Sequence, residues 1–173
     1  LDATRRMIEA DASLIEAPLA GHHGNTLSWA AWQGQAEIVR YLFERGGDPR
    51  EEQDSPMMCA ALSDRNIPVM ELLVERGADV NALYHGSYPI VLTPCGTLEP
   101  KALTWLLDHG ADPNVQEGGG ALRMVVMTYS HNAERKQCLD VLVEAGAADG
   151  DHPVMDVLRG RVDLLASRLR ENP

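Results

Sequence analysis

The residues best suited to chemistry are few and scattered. Cys95 sits in the sharp local sequence Thr93-Pro94-Cys95-Gly96-Thr97. A thiol near a helix start can lose its proton easily and act as a nucleophile. It would need a base, and His85 is the candidate, so the pair sketches a small hydrolase or transferase site. The plainer reading is a small apolar side chain filling a groove. His22-His23 are adjacent, cannot both point the same way on a regular element, and have no third ligand at metal spacing, so they read as a solvated turn. Gly118-Gly119-Gly120 could cradle a phosphate, but no Lys-Ser or Lys-Thr follows and no strand precedes it, so it reads as a turn. No catalytic constellation emerges, and neither cofactor nor metal is expected.

Charge narrows the partners. Lys and Arg total 15 against 26 Asp and Glu, a net −11 over 173 residues. Nucleic-acid binding needs a basic stripe, and none is visible. An anionic membrane surface would be repelled too. No apolar run approaches the ~18 residues that span a bilayer. Three cysteines, Cys59, Cys95 and Cys138, are odd in number and widely spaced. That is no disulfide framework, and it points to a reducing, cytoplasmic setting.

The elements that must position these residues recur. Gly46, Gly77, Gly110 and Gly146 each close a helical stretch, at intervals of 31, 33 and 36 residues. The clearest unit runs from Gly24 to Asp48. Asn25 or Thr26 starts a first helix by accepting from unpaired N–H groups. Ala30 and Ala31 are small enough for a neighbouring helix to approach, and Gly34 ends the helix. Ile38, Val39, Leu42 and Phe43 share one face of a second helix. Gly46 closes it, and Asp48-Pro49 leads out as a turn.

This pattern resembles the ankyrin repeat, whose motif opens a first helix on "TPLHxAA" and ends a second on "EIVxxLLxxGAD". The matching residues are Ala30-Ala31, Glu37-Ile38-Val39 and Gly46-Gly47-Asp48; then Ser55-Pro56-Met57, Ala60-Ala61, Leu72-Leu73 and Gly77-Ala78-Asp79; then Tyr88-Pro89-Ile90, Leu106-Leu107 and Gly110-Ala111-Asp112. A weaker fourth unit shows Leu122, Val125-Val126, Val141-Leu142 and Gly146-Ala147. The resemblance implies an all-α, ankyrin-type helix-turn-helix solenoid with short β-turn or hairpin fingers. It implies one domain over 1–173, with repeats near 24–53, 54–86, 87–117 and 118–150 between partial units at 1–20 and 151–173. Ala3 to Ala17 reads as a second helix without its first.

Departures from the motif matter as well. The family's buried His is replaced by Ser28, Met58, Val91, Arg123 and Met155. Thr93-Pro94 stands where the alanine pair belongs, and a Pro inside a helix costs about 3 kcal/mol, so a short or bent helix is expected there. Ten residues separate Val126 from Gln137, against five between Ala31 and Glu37.

The resemblance also implies a non-enzymatic module that holds a partner polypeptide along the concave face, lined by first helices and fingers. Carried over position by position, the contact residues are Trp29, Trp32, Gln33, Leu62, Ser63, Cys95, Met127 and Tyr129, with Arg50, Tyr84 and His85 on fingers and Arg159 adding charge. Glu51, Gln116 and Glu117 share the finger tips. The expected partner offers an apolar segment with neutral or basic flanks, since net −11 repels acid. Two alternatives stand: a spacer, or packing against another domain of a larger protein, suggested by the fragmentary end units; and the enzymatic use of Cys95 with His85.

Overall fold

The computed structural model describes residues 2–15, 25–50, 56–115, 120–129, 132–148 and 153–171. His22-His23, Gly118-Gly119, Glu51, Gln116 and Glu117 lie outside them. The described residues form helices joined by tight turns, with a single two-stranded hairpin among them.

Four second helices end alike. They are α3 (Ala36–Glu44), α5 (Ile67–Glu75), α7 (Pro100–Asp108) and α9 (Ala133–Glu144). Each runs into a glycine of positive φ: Gly46 at 97°, Gly77 at 92°, Gly110 at 90° and Gly146 at 81°. Only glycine enters this region without steric cost. The next amide then folds back to a carbonyl five residues earlier: Gly47 to Leu42, Ala78 to Leu73, Ala111 to Leu106 and Ala147 to Leu142, at 2.9–3.0 Å. This double-back closure satisfies carbonyls the helix leaves bare.

The first helices are α2 (Thr26–Trp32), α4 (Pro56–Ala60), α6 (Leu92–Thr97), α8 (Gly120–Met127) and α10 (Pro153–Leu158). Helix α1 (Asp2–Ala10) precedes them and α11 (Val162–Glu171) pairs with α10. Asn25 caps α2, its side chain accepting from Ser28 N at 2.9 Å. Gly34 ends the same helix's turn at φ 67°. The N-terminal helix is shorter than the expected Ala3–Ala17 span. It stops at Ala10, where Asp11 accepts from both Ser13 N and Ser13 Oγ and starts a 3-10 turn over Ala12–Ile15.

The core is a seam running between neighbouring pairs. Leu27, Val39 and Leu42 in one unit, Met57, Met70 and Leu73 in the next, and Leu103, Leu106, Leu139 and Leu142 beyond are sealed from solvent. Each such side chain contributes about 1.5–3 kcal/mol by leaving water. Asparagines stitch the exposed edge. Asn81 donates to Gly110 O at 2.9 Å and accepts from Asp112 N at 3.0 Å. Asn114 repeats this one unit on, with Gly146 O and Ala148 N. Arg50 holds the corresponding place in the first unit and turns back on its own Asp48 instead.

Spacing along the first helices is uneven. Helix α2 packs closely on α4, and α6 on α8, whereas α4 and α6 stand apart. Ala30, Ala31, Ala60 and Ala61 are all buried and let α2 and α4 meet. Thr93 and Pro94 are bulkier and hold α6 off. Pro94 does not break its helix. It lies in the first turn of α6, where an N–H has no helical acceptor in any case. The helix is six residues long, and α4 is shorter still at five.

Candidate functional site

The gap between α4 and α6 is roofed by a hairpin. Strand β1 (Leu83–Tyr84) pairs antiparallel with β2 (Tyr88–Pro89), placing Tyr84 opposite Tyr88. Ser87 N donates to Tyr84 O at 3.2 Å, and His85 and Gly86 between them take φ of 50° and 67°. These are the signs a type I′ turn requires. Gly86 accepts them freely, while His85 carries backbone strain that a glycine would relieve. The His85 ring stands edge-on to Tyr84, centroids 4.1 Å apart.

Beneath this roof lies an apolar groove of about 470 Å³, walled by Met58, Leu62, Tyr84, His85, Tyr88 and the α6 residues Thr93, Gly96 and Thr97. Gly96 keeps the α6 wall low. Burial raises the Tyr88 phenol above its ordinary pKa, partly offset by the neighbouring Thr93 hydroxyl. A second groove of about 170 Å³ lies between α2 and α4, lined by Ser28, Trp29, Trp32, Cys59 and Leu62. Leu62 lines both, so the two grooves are neighbours across one side chain and are together called the trough. Trp29 and Trp32 form a tilted pair with centroids 4.6 Å apart, and Trp32 is 40% exposed.

The sequence-derived contact residues therefore divide. Trp29, Trp32, Leu62, Tyr84 and His85 converge on the trough. Gln33 is exposed at the end of α2, Ser63 is half-buried in the next turn, and neither lines a groove. Arg50 is exposed and bonded to Asp48, which raises its own pKa and lowers that of the carboxylate. Met127 and Tyr129 are strongly exposed but line neither groove. Trp32 and Leu62 line one groove, and Met127 lies apart from it.

Two assignments need correction. Cys95 is sealed from solvent, with its Sγ against Val91 O at 3.2 Å. It faces the core because the α6 turn rotates it inward, so it touches no partner on this face. Burial pushes its thiol far above the ordinary range, which also removes the nucleophile from the Cys95–His85 pairing. Arg159 is 4% exposed and ion-paired to Asp140, so it belongs to the interior of the last helix pair. Met58 and Tyr88 are the trough residues that repeat register does not single out. Tyr88 becomes visible only once the hairpin sets it opposite Tyr84.

Among the described residues no cluster of three or more His, Cys, Asp or Glu could hold a metal. No helix among them is long and apolar enough to cross a membrane. Cys59, Cys95 and Cys138 form no disulfide.

Repeated helix pairs, closed by identical glycine turns and stacked through an apolar seam, define an ankyrin-type solenoid. The family model for ankyrin repeats (3 copies) matches residues 2–84. It is 29% identical over 150 residues, 80% of its length, to the Oryza sativa subsp. japonica protein described as "Probable E3 ubiquitin-protein ligase XBOS34". The chain spans 24% of the length of that relative.

Proposed function

We propose that the array is a protein-interaction module that seats one extended partner segment along the trough from Trp32 across Leu62 to Tyr84. Ankyrin repeats are protein-binding scaffolds as a class. The observation that carries the specific reading is the sharing of Leu62 by two apolar grooves, with a Trp at one end and two Tyr at the other. Exposed apolar surface of this kind is costly unless something covers it. Trp and Tyr are the side chains that most often dominate such contacts. The partner segment is apolar with neutral or basic flanks, since the chain carries −11. The role is recognition and not catalysis, and the whole chain forms one array.

The test is selection of peptides from a random display library on the intact chain. Enriched peptides should be apolar with neutral or basic flanks. Trp32→Ala should weaken them about tenfold, equivalent to ~1.4 kcal/mol, without changing the unfolding midpoint. Absence of enrichment, or binding indifferent to Trp32, overturns the reading. A second reading, packing against a further domain, is favoured by one observation. Val154, Val157, Val162 and Leu164 on the last pair are all exposed. Self-association of the chain that disappears in Val157→Ser/Val162→Ser would support it.

A further inference from the structure

The interior position of Arg159 opens a second question. Between α9, α10 and α11 lies a cavity of about 330 Å³, walled by Val143, Asp156, Arg159, Arg161, Leu164 and Arg168. We propose that this cavity is a binding site for a compact oxyanion, the phosphate or carboxylate group of a small ligand.

Arg159 is the starting point. Its side chain is 5% exposed, and its Nε donates to Asp140 Oδ1 at 2.5 Å. Its two Nη groups have no hydrogen-bond partner among the described residues. They are not among the sealed unpaired atoms and remain able to donate within the cavity that Arg159 lines. Their planar fork matches a carboxylate or phosphate through two parallel bonds. Asp140 does not exhaust the charge of Arg159, because it also accepts from Lys136 at 2.7 Å.

Helix α11 supplies the rest. Arg161, just before its first turn, and Leu164 and Arg168 within it follow at intervals of three and four residues, so they fall on one face and line one cavity. Arg161 is exposed and forms no ion pair among the described residues. Arg168 Nε lies 2.8 Å from Asp156 Oδ2, which neutralises the one carboxylate in the cavity wall. Three guanidinium groups thus line a cavity whose wall holds one carboxylate, Asp156, in a chain of net −11. Val143 and Leu164 make part of the wall apolar, which strengthens charge interactions within it. The volume is at the lower end of small-ligand pockets, so it fits a small ligand and not a folded partner.

The experiment titrates the intact chain with sodium phosphate, sodium acetate and, at matched ionic strength, sodium chloride. Backbone amide NMR shifts in α10 and α11 are the readout. A saturable response to phosphate, to acetate or to both, absent with chloride, is expected, and the stronger arm names the group. Arg161→Gln should lower the apparent affinity at least tenfold, while Arg40→Gln, an exposed cation on α3, should leave it unchanged. Identical responses to all three salts, or full binding by Arg161→Gln, would overturn the proposal.

Discussion

Asp64 and Glu99 hold the second and third helix pairs together by crossed backbone bonds. Glu99 Oε2 accepts from Asp64 N at 2.9 Å, and Asp64 Oδ1 accepts from Ala102 N at 2.7 Å. The second bond caps α7 from a residue 38 positions earlier in the chain. It lies where α4 and α6 stand apart, so it substitutes for apolar contact between those helices.

Removing that cap has a calculable cost. Asp64→Ala should destabilise the array by about 1–2 kcal/mol, as loss of an N-cap acceptor does. Asp64→Ala and Glu99→Ala together should cost less than the two separately, because each bond positions the other. Urea unfolding midpoints of the two single variants and the double variant measure both quantities.

Gly34 is the least replaceable turn residue. It has φ 67°, and a Cβ there would overlap Asn66 Oδ1. Asn66 is itself buried and donates to Trp32 O at 3.0 Å, so it cannot withdraw without losing that bond. Gly34→Ala should cost about 2–3 kcal/mol from strain and crowding combined. Gly46→Ala faces open space and should cost only about 1–2 kcal/mol, the backbone share alone. Equal losses in thermal unfolding would show that the Asn66 contact carries no weight.

Thiol labelling should follow exposure and not local motif. Cys59 is half-buried on the trough, whereas Cys95 and Cys138 are sealed, and burial raises the Cys138 thiol to about 12. Iodoacetamide near neutral pH should modify Cys59 first and reach the other two only on unfolding. Mass spectrometry of a time course gives the order directly. Prompt modification of Cys95 would restore it as a reactive group.

Acid should loosen the last helix pair. Burial alone would raise Asp140, but hydrogen bonds from Lys136 and Arg159 outweigh it and hold the carboxyl below its ordinary value. A carboxylate depressed in the folded state adds stability above its unfolded pKa and loses it as pH falls through the folded value. Asp140→Asn should therefore be less stable than the parent at pH 7, with the difference shrinking below about pH 4. Hydrogen exchange in α10 and α11 follows the change locally.

Much of this architecture was legible in local spacing. Gly46, Gly77, Gly110 and Gly146 announce helix ends because a positive φ needs glycine, and all four adopt it. Asn25 was readable as a cap for a similar local reason. Partners far along the chain were not readable. Asn66 reaches back 34 residues to Trp32, and nothing in its neighbourhood signals that. Cys95 was misplaced because the register of the third unit shifts where Thr93-Pro94 replaces the alanine pair, turning the residue inward. Arg159 was misplaced because a charged residue is expected at the surface, and its compensating Asp140 lies 19 positions away. The trough was half legible: Trp32 and Leu62 follow from repeat register, whereas the Tyr84–Tyr88 roof needs a hairpin that a two-residue strand pattern cannot declare.

The separation of α4 from α6 leaves a joint between two first helices. The buried apolar core runs on past this gap, and the Asp64 and Glu99 bonds add latches beside it. The larger groove opens on that joint. A segment seated there would touch α4 through Met58 and α6 through Gly96 and Thr97 at once.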